Sequence, residues 1–466
     1  MKFMTRKNLI LLLTLTLTSV VFSQNIFRTA CKGNLVRLDS MLVNSTINVK
    51  DNRGKSLLHW AVACKQREVF DFLIKRNIKI NETDNQEKTP LHVAVRFNNI
   101  EYLNYLIELQ PNNNWQSLYG ASLIEQAILN GNKEITKKLI KSGVDINIKN
   151  KRGSTALEIS KRLGTKNISE FLISQGADKN LVRKFKMKGK YMGLKGRETI
   201  PKMFAPNFIS TEEQEFGSTF NKKGTEFYFG VDVNGRNEIR FSKIEGNQWS
   251  KPKTIISHKR YSYNDPFLSN DENRLYFISK RALDGIGKIK DVDIWYVERL
   301  SNGWSEPINA GSTINTNGNE YYMSFTNDGT MYFASNGHTR KDVSRTDHDI
   351  YYSRVINNEF QKPVLLDASI NTTGYEADVF VAPDESYLIF CSIRDGGFGR
   401  GDLYISFKNS NGNWTNAVNM GKKINTDNYE YCPFVTKDGK YLLYTSNQDI
   451  YWVSTKIINE IKEKNK

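Results

Sequence analysis

The stretch from Asn319 to Pro363, NEYYMSFTNDGTMYFASNGHTRKDVSRTDHDIYYSRVINNEFQKP, decides the fold of the C-terminal half of this chain. An apolar run ends at Phe325, an Asn-Asp-Gly turn occupies residues 327–329, and a second apolar run covers Thr330 to Ala334. Such a turn between two apolar runs signals a hairpin, since Gly supplies the positive φ that a tight reversal needs. A polar loop, a third strand from Asp349 and a fourth around Phe360 complete a four-strand unit.

The unit recurs. Aligned starts fall at Glu215, Asn264, Glu320, Glu376 and Glu430, with spacings of 49, 56, 56 and 54 residues. Nine residues after each start comes a turn, at Gly224, Asn273, Gly329, Glu385 and Gly439, and then an aromatic strand beginning at Phe227, Leu275, Met331, Leu388 or Leu442. A third strand opens on an acid each time, namely Glu238, Asp293, Asp349, Asp402 and Asp449. The fourth carries Trp249, Trp304, Phe360 or Trp414, with Pro252, Pro307 and Pro363 three residues on. The fifth unit lacks this segment, but Pro201 precedes Glu215 much as Pro307 precedes Glu320. The N-terminal segment therefore supplies the missing strand and closes a ring, which removes exposed sheet edges. Over residues 198–458 the units resemble TolB-type, WD-repeat-like propeller repeats. The resemblance implies a β-propeller of five blades, or six if residues 185–200 and the tail add strands.

Upstream the period changes. Gly54, Glu87, Gly120 and Gly153 are 33 residues apart, followed at a fixed offset by Leu58, Leu91, Ile124 and Leu157. The surrounding text, GKSLLHWAVA, EKTPLHVAVR, GASLIEQAIL and GSTALEISKR, resembles the ankyrin signature Thr-Pro-Leu-His-x-Ala, most closely at Thr89 to Ala94. With a degenerate unit from Ala30 this makes about five repeats of a helix pair too small to bury its own apolar face. Thr89 is placed to cap its helix and His92 to bond turn backbone; His59 and His92, one period apart, are structural by the same logic. The fold class is thus multidomain: an ankyrin-type helical solenoid over residues 24–180, a basic linker over 181–197, and an all-β propeller over 198–466.

Lys2, Arg6 and Lys7 precede an apolar run from Leu9 to Phe22, which reads as a signal peptide cut after Ser23. Its loss takes the formal charge from +16 to +13 and leaves no transmembrane segment. The expected setting is export, to the periplasm or beyond. The linker, with Arg183, Lys184, Lys186, Lys188, Lys190, Lys195 and Arg197, would meet an anionic glycan or a membrane surface. Nucleic acid is not expected, because no recognition helix or RNA-binding aromatic motif is present. Cys31 and Cys64 lie one repeat apart, which places them about 10 Å apart in stacked repeats, beyond the ~7 Å limit for a disulfide, so both are expected as core thiols. Cys391 and Cys432 fall in adjacent units, where pairing is open.

Several groups could carry function. Ankyrin stacks bind proteins through hairpin tips, here Asn52, Arg53, Asn85, Gln86, Leu118, Tyr119, Lys151 and Arg152. At the propeller mouth Glu215, Asn264, Glu320, Glu376 and Glu430 precede the inner strands. Converging carboxylates there would require a cation or basic ligand, unless each fastens its blade to the next. Some five-bladed propellers are glycoside hydrolases with acids near the axis; for that chemistry Asp265 and Asp378, acids outside the shared frame, are the candidates. No metal site is expected; His338, Asp342, Asp347 and His348 share one loop, but their irregular spacing makes them weak candidates. No cofactor is implied, and no Gly-x-Ser-x-Gly elbow is present. The reading that emerges is an exported, non-catalytic binding protein, with an enzyme acting on envelope or extracellular polysaccharide as the alternative.

Overall fold

The structure, a computed structural model, describes residues 26–43, 46–85, 87–109, 120–150, 152–181, 187–196, 199–211, 213–233, 235–338 and 347–465. The chain divides into two compact units, Met1–Lys184 and Phe185–Lys466.

The first unit is a stack of helix pairs: Leu57–Ala63 with Arg67–Lys75, Pro90–Arg96 with Ile100–Glu108, Gly120–Leu129 with Lys133–Lys141, and Ala156–Arg162 with Lys166–Ser174. Leu58, Leu91, Ile124 and Leu157 are all buried in one continuous core. Local chemistry sets the ends. Ser56 and Thr89 form capping boxes with His59 and His92, and Pro90 occupies the first helical turn, where its missing N–H costs nothing. Asn99 and Asn132 cap the second helices by accepting from Tyr102 N and Ile135 N at 3.3 and 2.9 Å.

One expectation fails here. Cys31 and Cys64 form a disulfide, with Cα atoms 5.2 Å apart. The ~10 Å spacing belongs to helix axes side by side. Both cysteines instead stand at helix ends, where the Gly33 turn is pressed onto the next repeat: a Cβ on Gly33 would lie 2.5 Å from Gln66 Oε1.

The second unit is a five-bladed propeller. Reading outward from the axis, blade 1 is Gln214–Phe220, Glu226–Val233, Arg236–Glu245 and Lys253–Ile256. Blade 2 is Tyr263–Leu268, Arg274–Ser279, Asp293–Leu300 and Ile308–Asn309. Blade 3 is Glu320–Phe325, Met331–Ser335, Asp349–Ser353 and Val364–Leu365; blade 4 is Tyr375–Val381, Tyr387–Ile393, Asp402–Phe407 and Val418–Asn419. Blade 5 is Glu430–Val435, Tyr441–Ser446 and Asp449–Ser454, closed by Lys202–Met203, with Lys202 opposite Trp452. The second strands, such as Met331–Ser335 and Tyr441–Ser446, are buried on both faces and read as near-continuous apolar runs.

Three details differ from the sequence reading. The Trp and Phe residues of the supposed fourth strand, such as Trp249 and Trp304, belong to a hairpin extending the third strand, and the outer strand follows the proline. The charged tail is the helix Lys456–Lys464, which buries Ile457, Ile458 and Ile461. Residues 187–196 of the basic segment dock on blades 1 and 5: Tyr191 N donates to Gly224 O at 2.8 Å, Trp249 Nε1 to Gly189 O at 2.8 Å, and Tyr441 Oη to Leu194 O at 3.0 Å.

Candidate functional site

The repeated glutamates lead into the blade junctions. Glu320 accepts from Thr316 N and Oγ1 at 3.1 and 2.7 Å and from Ser335 Oγ at 2.8 Å. Glu376 repeats this with Thr372 and Ser392, adding Arg394 at 3.1 Å; Glu430 repeats it with Thr426 and Ser446. Glu215 accepts from Thr211 N at 3.1 Å and from the Thr211 hydroxyl. The backbone N–H of each glutamate donates to the preceding blade, to Gln448, Val292, His348 or Gly401. Burial pushes Glu320 up to about 7 against the pull of its Thr316 bonds.

A second staple accompanies the first. Asn315 Oδ1 accepts from Ile294 N at 2.8 Å while its amide donates back to Ile294 O at 2.9 Å, and Asn371 and Asn425 do the same to Ile350 and Leu403. The signal stands in the sequence as Ile-Asn-Thr-x-x-x-Glu, at residues 314–320, 370–376 and 424–430.

Blade 2 corrects the frame. Tyr263 lies opposite Ser279, as Glu320 lies opposite Ser335, so Tyr263 and not Asn264 is the equivalent position. The turn agrees: Glu272 has φ +62°, as Gly224, Gly329, Glu385 and Gly439 have φ of +66°, +87°, +55° and +68°. With a tyrosine at the glutamate position, this blade offers no acid to align. Asn264 points instead to Asn237, whose amide donates to it at 2.6 Å.

The corrected frame changes the meaning of Asp265 and Asp378. Two residues past each start the register breaks in a bulge, and the residue there is Gly217, Asp265, Tyr322, Asp378 or Cys432. All five have positive φ, from +34° at Tyr322 to +54° at Asp265. The two aspartates thus occupy one shared backbone position, at which the other three blades carry glycine, tyrosine and cysteine. The bulge brings Asp265, Asp378 and Cys432 together, one ligand atom of each lying within 4.8 Å of the others. They are 8 %, 6 % and 1 % exposed. Cys432 Sγ donates to Asp265 Oδ1 at 3.2 Å, and Tyr322 Oη donates to Pro433 O at 2.9 Å. Gly217 makes room: a Cβ there would lie 2.6 Å from Asp265 Oδ1. Burial raises both carboxyls, Asp378 further through repulsion from Asp265, and burial raises the Cys432 thiol. On the turn side of this layer Phe267, Tyr322, Phe380 and Phe434 fill the axis, with ring centroids 5.8–6.2 Å apart.

The other side opens toward the mouth. Half-buried Tyr321, Tyr375, Tyr429 and Tyr431 stand there; His348 meets Tyr321 and Tyr375 at 4.8 and 5.2 Å, and Tyr429 stacks on Tyr431 at 4.9 Å. Loops from the second to the third strands rim this face, long in blade 2 (residues 280–292) and short in blade 5 (447–448). The blade 2 loop exposes Leu283, Ile286 and Ile289 at 68, 78 and 57 %. His338 bonds Ile314 O at 2.8 Å, and among the described residues neither it nor Asp347 nor His348 joins a metal-sized group; Asp342 lies outside the described residues.

In the helical unit, the tip residues Asn52, Arg53 and Asn85 are exposed, and Asn85 N donates to Arg53 O at 2.9 Å, linking successive tips. Arg152 pairs with Glu125 at 3.4 Å. Gln86, Leu118, Tyr119 and Lys151 lie outside the described residues. His59 Nε2 reaches Lys88 O of the next repeat at 2.9 Å, while its Nδ1 and that of His92 accept from their own cap backbones at 3.1 Å. Residues 26–117 match the family model of ankyrin repeats, in three copies. This region is an ankyrin-repeat array. No curated protein matches the chain. Ankyrin arrays as a class present tips and the adjoining helix face to protein partners.

Proposed function

We propose that this chain is an exported, non-catalytic binding protein in which an ankyrin array and a TolB-like propeller each recognise a partner. The observation that carries the reading is the mouth face of the propeller. Its repeated glutamates are satisfied internally, while half-buried tyrosines and the exposed apolar trio Leu283, Ile286 and Ile289 stand toward solvent, a surface suited to holding a partner. The Cys31–Cys64 disulfide supports an oxidising compartment, as the N-terminal apolar run does. Exposed Lys188, Lys190 and Lys195 would add attraction to an anionic glycan or membrane surface. Among the described residues no helix is long and apolar enough to cross a membrane. Two modules on one chain bind a shared target with an effective concentration set by their linker.

The test is binding of the full chain to arrays of envelope proteins and polysaccharides. A paired Tyr321→Ala and Ile286→Ser variant is expected to lose a propeller ligand, while Asn52→Ala with Arg53→Ala loses an ankyrin ligand. One observation favours hydrolysis of polysaccharide instead: Asp265 and Asp378 approach each other on the axis, near the ~5 Å carboxyl spacing of retaining glycosidases. Polysaccharide cleavage by the wild type, abolished by Asp265→Asn, would replace the binding reading with that one.

A further inference from the structure

We propose that Asp265, Asp378 and Cys432 form a binding site for a divalent transition-metal ion, zinc by its chemistry, on the propeller axis. The three residues come from blades 2, 4 and 5, and one ligand atom of each lies within 4.8 Å of the others. What marks the cluster as a site is Asp378. Its side chain is more than nine-tenths buried and faces this cluster, yet among the described residues it has no hydrogen-bond partner, whereas every repeated glutamate has several. Among the described residues, no lysine or arginine bonds either aspartate. A second buried carboxylate beside the first needs a cation or a proton.

The donor set selects the ion. Two carboxylate oxygens suit calcium or magnesium, but a thiolate does not, because both cations take oxygen ligands. Zinc accepts both, with bonds of about 2.3 Å to sulfur and about 2.0–2.2 Å to carboxylate oxygen. Three protein ligands leave the fourth tetrahedral position for water or for a ligand entering from the tyrosine-lined mouth. Binding is proton-balanced: zinc replaces the thiol proton of Cys432 and any proton held by the carboxyls, and these pass to the buffer. Gly217 fits the same site, since any larger residue in blade 1 would invade the space of Asp265.

The proposal is independent of whether the mouth binds protein or polysaccharide. Its test uses the full chain, stripped with a chelator and titrated with Co2+ or Zn2+. The expected result is one equivalent bound, with proton release and a thiolate-to-cobalt charge-transfer band. Cys432→Ser should remove the band, and Asp378→Asn should weaken binding by more than the ~10–100-fold typical of a change outside the ligand shell. Cys391→Ser, which alters the other free cysteine, should keep both. Zinc-edge X-ray absorption of the wild type needs no variant and should show one sulfur with oxygen neighbours. No uptake by the wild type, a sulfur-free shell, or an undiminished band in folded Cys432→Ser each overturns the site.

Discussion

The ankyrin array and the propeller both repeat a polar residue, and both spend it on architecture. In the array His59 and His92 hold their helix caps, and His59 reaches the next repeat. In the propeller Glu320, Glu376 and Glu430 bond the threonine four residues before them and the serine of the neighbouring strand. The propeller also has something for which the array offers no counterpart here: a position where the backbone repeats and the side chain does not. At the bulge each blade keeps the left-handed turn and varies the residue, and the variation collects two acids and a thiol on the axis. Where identity repeats, the need is architectural; where only the backbone repeats, the side chains are released for other work.

The largest effect is expected from the array's covalent tie. A crosslink spanning 33 residues should stabilise the array by about 3–4 kcal/mol, so Cys31→Ser should lower its urea midpoint strongly and leave the propeller transition in place. Equal shifts in both transitions would mean that the units do not unfold separately. Next comes the propeller's own fastener. Glu376→Gln turns a buried amide toward donors from Thr372 and Ser392 and takes the carboxylate partner from Arg394, a loss of about 3 kcal/mol on denaturant unfolding.

The third concerns His92, whose burial lowers its pKa from 6.5 to about 4. The folded array holds the ring neutral and the unfolded chain protonates it, so stability is complete above about pH 6.5 and falls as the pH drops toward 4. Between pH 7 and 5 the loss should be about 2 kcal/mol, and His92→Gln should flatten that slope. An unchanged slope would assign the acid sensitivity elsewhere. The smallest effect has the opposite sign: Asp378→Asn removes a repelling, unbonded carboxyl and should stabilise the metal-free propeller by about 1 kcal/mol. A clear destabilisation would show that Asp378 is a fastener like Glu376.

Much of the architecture was legible because repeats expose their own period. The 33-residue spacing places Leu58, Leu91, Ile124 and Leu157 in one core, and the turn spacing places five hairpins around a ring. Blade 2 hides its register, because Tyr263 stands where the other blades have glutamate and the neighbouring Asn264 offers a false match that moves Asp265 out of the position it shares with Asp378. The signal that could have corrected it is the serine facing the start position in blades 2 to 5, at Ser279, Ser335, Ser392 and Ser446, which locks the register across the hairpin.

The sequence by itself determined the two modules, their order, and the closing of the last blade by a segment from before the first, because these follow from periodicity and from the need to pair every sheet edge. Only the tertiary structure decided the Cys31–Cys64 bond and the meeting of Asp265, Asp378 and Cys432. The first depends on how helix ends converge, which a repeat length does not encode. The second depends on ring closure and on a left-handed bulge that aspartate, tyrosine and cysteine adopt without advertising it, since the surrounding strands impose the conformation that glycine would ordinarily mark.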